Sequence, residues 1–151
     1  MTQTFVIPDI HGRLDLLSEA LAEIAAPSKG ETGTIVMIGD YVDKGPDSKG
    51  VIDRLSGVSG GLDLVTLKGN HDAMMIDALR DRSTMAAWLS KGGDAALASY
   101  GGEPASVPQS HIDWLDRLRL FYVDTHRLYV HAGVDPGTPL DLQSVETLLW
   151  K

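Results

Sequence analysis

The sequence has no cysteine in its 151 residues. Disulfide bonds and thiolate metal ligands are therefore excluded, and secretion gains no support. Basic residues are also scarce, since 13 Lys and Arg stand against 21 Asp and Glu, for a net charge of -8. Nucleic acids and acidic membrane surfaces are held by clusters of Lys and Arg, so we expect neither as a partner.

A basic N-terminal region and a long apolar stretch are missing as well. The first residues, Met1-Thr2-Gln3-Thr4, predict neither a signal peptide nor a transmembrane span, which makes the cytoplasm the expected compartment. What is present is ordinary for a globular chain, with 43% hydrophobic and 23% charged residues. The length suits one domain with a sizeable core, and we expect a single domain over residues 1–151.

Polar motifs follow four apolar runs, each at the point where a strand would end. The run Thr34–Ile38 is continuously apolar, which predicts a strand buried on both faces, and Asp40 and Asp43 come directly after it. Ligands of open α/β sheets collect just past the carboxyl ends of such strands. The other three motifs are Pro8-Asp9-Ile10-His11-Gly12, Lys68-Gly69-Asn70-His71-Asp72 and His131-Ala132-Gly133.

These strand ends carry oxygen and imidazole ligands suited to divalent metals. Asp9 and His11 are two residues apart, so on a strand their side chains would project to the same side and bind one metal. Asp40 has two carboxylate oxygens and is the natural bridge to a second metal, to which Asn70 and His131 would also contribute. Each motif alone could be an ordinary turn, and the convergence of all four favours a metal site.

Hydrophobic spacing predicts the surrounding elements. Apolar residues recur at helical spacing from Leu14 to Ile24, so strand, helix and strand imply a parallel pair. Phe121–Asp124 and Leu128–Val130 flank a short turn and predict an antiparallel hairpin.

Five further residues are expected to have structural roles. Trp88 and Tyr100 are predicted to be packing residues, because buried aromatics usually are. Asp72 is predicted to cap a helix that begins at the next residue. His111 and His126 match no motif, and we expect them at the surface or at helix caps.

In order and spacing, the four motifs resemble those of the metallophosphoesterases, in particular the branch of bacterial serine/threonine protein phosphatases and diadenosine tetraphosphate hydrolases. The resemblance runs from Phe5 to Lys151. It implies an α/β fold in which mixed sheets form an α/β/β/α sandwich. It also implies two divalent metal ions, with Mn the first candidate and Fe, Zn, Ni or Co the others, and a bridging hydroxide that attacks a phosphomonoester.

The resemblance also implies roles for the remaining polar residues. His71 would be the general acid that protonates the leaving group, with Asp43 holding its imidazole. Lys44 stands where the family usually has Arg and would bind substrate phosphate, as would Asn70 beside the metals. Lys keeps the charge but loses the two-pronged donor, so we expect looser substrate binding.

Three functions remain open from the sequence. The leading one is a phosphatase of phosphomonoesters, including phosphoserine or phosphothreonine in proteins. A hydrolase of dinucleoside polyphosphates has nearly the same motifs, so nucleotides are the alternative substrate. A non-catalytic binding module is favoured by Lys44 and the early end of the chain, whereas the presence of Asp43 and His71 argues against it.

The end of the chain bears on the second metal. In the family, a Gly-His motif beyond the helix that starts near Leu148 supplies another imidazole, together with further strands of the second sheet. The sequence ends at Lys151, so we expect a C-terminally shortened domain that lacks those strands and holds its two metals unequally. A sheet edge left uncovered would favour self-association.

Overall fold

A computed structural model describes residues 3–25, 33–57 and 63–151 of the chain. Within these ranges the strands are β1 Gln3–Ile7, β2 Gly33–Met37, β3 Asp63–Thr66, β4 Phe121–Val123 and β5 Leu128–Val130. The α-helices are α1 Leu14–Ala25, α2 Ser48–Ser56, α3 Asn70–Arg80, α4 Met85–Trp88, α5 Asp94–Ser99, α6 Gln109–Asp116 and α7 Val145–Trp150. A π-helical turn, Leu89–Gly93, joins α4 to α5, and short 3-10 turns lie at Arg82–Thr84, Pro104–Ser106 and Leu140–Leu142.

The first three strands form a parallel sheet in the order β1, β2, β3. Its central strand, β2, alternates between two apolar clusters, as successive side chains of a strand must. Ile35 and Met37 pack into the main core among the helices, whereas Val36 packs with Leu67 and Tyr129 on the opposite face. The predicted burial of this strand on both faces is confirmed.

The predicted hairpin is also present, as β4 and β5 pair antiparallel. Tyr129 of β5 is buried against the parallel sheet, so helices cover one face of that sheet and a second sheet covers the other. This layering is the α/β/β part of the expected sandwich. Among the described helices, none combines the length and apolar character needed to cross a bilayer.

His111 is buried, so its predicted place at the surface or at a cap is wrong. Only 6% of it is exposed, because its ring lies between two polar partners brought in by other helices. Its Nδ1 is 2.9 Å from the Tyr100 hydroxyl and its Nε2 is 3.0 Å from Asp53 Oδ1. His126 does lie exposed at the hairpin turn, where its backbone N–H donates to Asp124.

Removing the Tyr100 hydroxyl should therefore destabilise the fold. Tyr100→Phe leaves the buried Nδ1 of His111 without its partner, and an unsatisfied buried polar atom costs about 1–3 kcal/mol of unfolding free energy. Urea denaturation would measure the loss. Tyr122→Phe is the matched control, since the described residues offer its hydroxyl no hydrogen bond and its ring stacks on Tyr129. Equal losses in the two variants would contradict the assignment.

Candidate metal centre

Asp40 lies at the centre of the predicted ligands and is only 3% exposed. One of its carboxylate oxygens is 3.4 Å from His11 Nε2 and the other is 3.6 Å from His131 Nε2. Asp9 Oδ2 lies 3.9 Å from the same His11 nitrogen. Loops that follow β1, β2 and β5 thus bring these four side chains together, and Asp40 faces a histidine on each side.

Unusual backbone conformations shape these loops. In the described part of the chain, the residues other than glycine with positive φ are His11, Asp40, Asp43 and Lys44, and each is a predicted site residue. Such conformations carry strain and concentrate at functional sites. Asp9 and His11 were expected on a strand, with their side chains on the same side. β1 ends at Ile7, so both residues lie in the loop that follows, and the loop rather than the alternation of a strand brings them together.

The loop after β3 is pressed against Asp40. A side chain at Gly69 would place its Cβ 2.1 Å from Asp40 Oδ1, so only glycine fits there. Asp72 locks the two loops together, because its carboxylate accepts from the backbone N–H groups of Asp40, Tyr41 and Gly69 at 2.8–2.9 Å.

Asp72 lies inside the first turn of α3, because this helix begins at Asn70. The prediction that Asp72 is the N-cap of a helix beginning at the next residue is therefore wrong. Burial raises the pKa of the Asp72 carboxyl to about 8, and the nearby Asp40 carboxylate adds to the rise. The three N–H donors oppose this rise, because they stabilise the ionised form. The sequence did not predict that Asp72 binds the backbone of Asp40. An acidic residue in this position is also typical of the first turn of a helix, so the sequence alone does not distinguish the two roles.

The histidines of the centre have defined tautomers. His11 Nδ1 is 2.8 Å from the Val42 carbonyl, and His131 Nδ1 is 2.8 Å from the Ile38 carbonyl. A carbonyl only accepts, so each Nδ1 carries the proton and each Nε2 presents its lone pair. Histidines that bind metals are oriented in this way.

Asn70 supplies a further sign of a ligand. Its Oδ1 is buried and has no hydrogen-bond partner among the described residues. Buried polar atoms are nearly always paired, so this orphaned oxygen is a candidate ligand for a cation. The next residue, His71, donates its backbone N–H to Asp40 Oδ1 at 3.0 Å, which connects this turn to the predicted ligands. The donor set of Asp9, His11, Asp40, Asn70 and His131 fits divalent metals such as Mn, Fe or Zn.

His71 and Asp43 lie beside the centre as a pair. His71 Nδ1 is 2.7 Å from Asp43 Oδ2, and a ring nitrogen of His71 lies within 4.8 Å of ligand atoms of His11 and Asp40. Burial raises the pKa of Asp43, while the hydrogen bonds from His71 and Trp88 oppose the rise. Asp43 can thus orient the His71 ring toward the metal ligands.

Lys44 contacts a predicted metal ligand. Its Nζ is 3.0 Å from His11 Nε2, the nitrogen whose lone pair faces Asp40. An ammonium and a metal ion would compete for that lone pair, so His11 would bind a metal only once the Lys44 ammonium has moved off this nitrogen.

With this geometry in place, comparison with known proteins identifies the family. The family model described as calcineurin-like phosphoesterase matches residues 3–149. The chain belongs to the calcineurin-like metallophosphoesterases. This family uses divalent metals, in agreement with the donor set around Asp40.

Named relatives of this metallophosphoesterase include phosphatases of two kinds. It is 34% identical over 139 residues to serine/threonine-protein phosphatase 1 of Salmonella typhimurium, covering 89% of this chain and 60% of that protein. It is 29% identical over 137 residues to a symmetrical bis(5'-nucleosyl)-tetraphosphatase of Proteus mirabilis, covering 88% and 45%. The crystal structure of a metallophosphoesterase from Sphaerobacter thermophilus superposes with a TM-score of 0.58 at 22% identity, covering 86% and 46%. The expected α/β fold is thereby confirmed, and the chain spans about half the length of these proteins.

An open groove lies next to the metal centre of this metallophosphoesterase. Its volume is about 630 Å³, which exceeds what one phosphate group needs. Arg13 lines it but forms a double hydrogen bond with Asp15, at 2.6 and 2.9 Å. The groove is lined by His11, Arg13, Asp15, Lys44, Gly45 and Pro46.

Proposed function

We propose that this metallophosphoesterase hydrolyses phosphomonoesters with two divalent metal ions, and that phosphoserine or phosphothreonine in proteins is its substrate class. The observation that carries the proposal is the His71–Asp43 pair, 2.7 Å apart, directed at a cluster of metal ligands around Asp40. A general acid held by a carboxylate serves catalysis, whereas a binding module does not need one. The protein phosphatase of Salmonella typhimurium, the relative with 34% identity, supports the choice of substrate.

Each site residue has a distinct task in this reaction. Asp9, His11, Asp40, Asn70 and His131 would hold the metals, with Mn the first candidate. When bound, the metals neutralise charge on the phosphoryl oxygens and lower the pKa of a coordinated water. His71, whose Nδ1 is engaged by Asp43, keeps Nε2 to give a proton to the departing ester oxygen. Lys44 would bind a phosphoryl oxygen once released from His11.

A hydrolase of dinucleoside polyphosphates is the second candidate. The groove beside Lys44 has room for groups beyond the reacting phosphate, and the Proteus mirabilis relative carries that name. Among the described residues that line the groove, however, none is Phe, Tyr or Trp, the side chains with the largest rings for stacking on a base. This absence ranks the dinucleotide second.

The proposal can be tested by comparing the hydrolysis of three substrates with added Mn²⁺. These are a phosphoserine peptide, p-nitrophenyl phosphate and diadenosine tetraphosphate. We expect turnover of the peptide and the aryl ester, lost on chelation and restored by metal. Turnover of the dinucleotide alone would establish the second candidate. No turnover of any substrate with Mn, Fe, Zn, Ni or Co would leave the binding module.

Lys44 gives a narrower prediction. Lys44→Ala should raise KM for p-nitrophenyl phosphate by about tenfold or more at saturating Mn²⁺, because a charge-assisted hydrogen bond to the phosphoryl group is lost. Lys44→Arg should lower KM or raise kcat modestly, since a planar fork makes two bonds. Lys49→Arg on α2, whose partner is Asp53, is the matched control and should change neither constant. A large loss of both constants in Lys44→Arg would show that the pocket is shaped around lysine.

A further inference from the structure

Trp88 forms a contact with the active site that its role in packing does not require. The side chain is 1% exposed, at the end of α4, and its Nε1–H lies 3.0 Å from both carboxylate oxygens of Asp43. Oδ2 of that carboxylate also accepts from His71 Nδ1 at 2.7 Å. Trp88, Asp43 and His71 thus form one continuous chain of hydrogen bonds that ends at the His71 ring, which has a nitrogen within 4.8 Å of ligand atoms of His11 and Asp40.

The segment after Trp88 holds both the indole ring and the loop that carries Asp43. A Cβ at Gly93 would lie 2.4–2.7 Å from atoms of the indole, so the ring is packed directly on this backbone. Gly92, with φ of 104°, turns its carbonyl to accept the backbone N–H of Lys44 at 3.0 Å. The turn Leu89–Gly93 therefore fixes the indole on one side and the Asp43–Lys44 backbone on the other.

Asp43 depends on such support. Its backbone is in the left-handed region, with φ of 72°, a conformation that a non-glycine residue keeps only when its surroundings hold it. Its backbone N–H donates to the Ser48 hydroxyl at 3.1 Å, which leaves the orientation of the carboxylate to Trp88 and His71. The indole N–H, 3.0 Å from both carboxylate oxygens, therefore helps to fix the plane of the carboxylate that accepts from His71.

We propose that Trp88 is a positioning residue that acts through Asp43 to fix the His71 imidazole for proton donation. The inference rests on the role proposed for His71. In that step the ester P–O bond breaks with its electron pair on the leaving oxygen, the His71 Nε2 proton moves to that oxygen, and water supplies the new oxygen of phosphate. The water loses a proton, which reprotonates His71 for the next turnover.

Leaving-group dependence separates positioning from packing. Phenolate needs the proton more than p-nitrophenolate does, because it is the stronger base. Trp88→Phe should therefore lower kcat for phenyl phosphate by about tenfold and for p-nitrophenyl phosphate by less than about threefold, with KM unchanged. Trp114→Phe, in which the ring packed on Tyr41 is replaced, is the control and should lower kcat for both esters equally, if at all. Equal losses for the two esters in Trp88→Phe would overturn the proposal.

The position of His71 can also be followed without turnover. The Nδ1–H proton shared with Asp43 should give a downfield NMR resonance, assigned by its absence in His71→Asn. We expect this resonance to shift or broaden in Trp88→Phe and to stay in place in Trp114→Phe. An unmoved resonance in Trp88→Phe overturns the inference about Trp88, whether or not the protein hydrolyses the esters. Failure of the unmodified protein to hydrolyse either ester would instead contradict the proposed function. If Trp88→Phe does not fold, a benzothiophene analogue of tryptophan at this position removes the N–H at nearly constant shape. The same two measurements, the leaving-group dependence of kcat and the position of the NMR resonance, then test the proposal.

Discussion

Asp40→Asn should lower kcat by about a thousandfold or more and remove bound metal at the same time. The two carboxylate oxygens face His11 on one side and His131 on the other, at 3.4 and 3.6 Å. An amide keeps the shape of the side chain and can still accept the His71 backbone N–H, 3.0 Å away. It loses the charge and one of the two oxygen ligands, so both metals are affected.

Metal content and kcat should be measured together at the same saturating Mn²⁺ concentration, because the two metals are expected to be held unequally. Asp9→Asn is the informative comparison, because Asp9 is proposed to bind one metal only, so its loss should cost one metal equivalent where Asp40→Asn costs both. Asp77→Asn makes the same chemical change at an exposed position of α3 and should change neither quantity. Retention of both metals with near-normal kcat in Asp40→Asn would show that Asp40 is not the bridge.

The strand ends could be predicted from the sequence because the signals are local. Ile35–Ile38 is apolar throughout, and a strand with that pattern is typically buried on both faces, as Val36 and Met37 are. Parallel pairing then places the residues that follow neighbouring strands at one edge of the sheet. The loops that carry Asp40 and Asn70 follow β2 and β3, which pair in the structure, and the His71 backbone N–H donates to Asp40 at 3.0 Å.

The buried polar contacts of the site and of the core could not be predicted, because they join distant parts of the chain. Trp88 reaches Asp43 across 45 positions and His111 reaches Asp53 across 58, and hydrophobic spacing carries no information on such pairs. Backbone geometry was hidden as well. Positive φ is expected at glycine, yet here it occurs at His11 and Asp40, where the loops hold ordinary residues in strained conformations.

His71→Asn should lower kcat by about a hundredfold to ten-thousandfold, the usual contribution of a general acid, while both metals stay bound. Asparagine cannot exchange a proton with the leaving group, and the ligands proposed for the metals are other residues. The loss should be greater for phenyl phosphate than for p-nitrophenyl phosphate, since the poorer leaving group depends more on protonation. His126→Asn, at an exposed turn, is the control for the same substitution and should match the unmodified protein.

Metal analysis of His71→Asn decides between two roles that the geometry allows. A ring nitrogen of His71 lies within 4.8 Å of ligand atoms of His11 and Asp40, close enough for all three to share an ion. The hydrogen bond from Nδ1 to the buried Asp43 would suit a metal ligand as well as an acid, because each needs a fixed ring. An acid leaves the metal count unchanged and makes the rate loss depend on the leaving group. A ligand loses one equivalent and slows both esters alike, and that result would remove His71 from proton transfer.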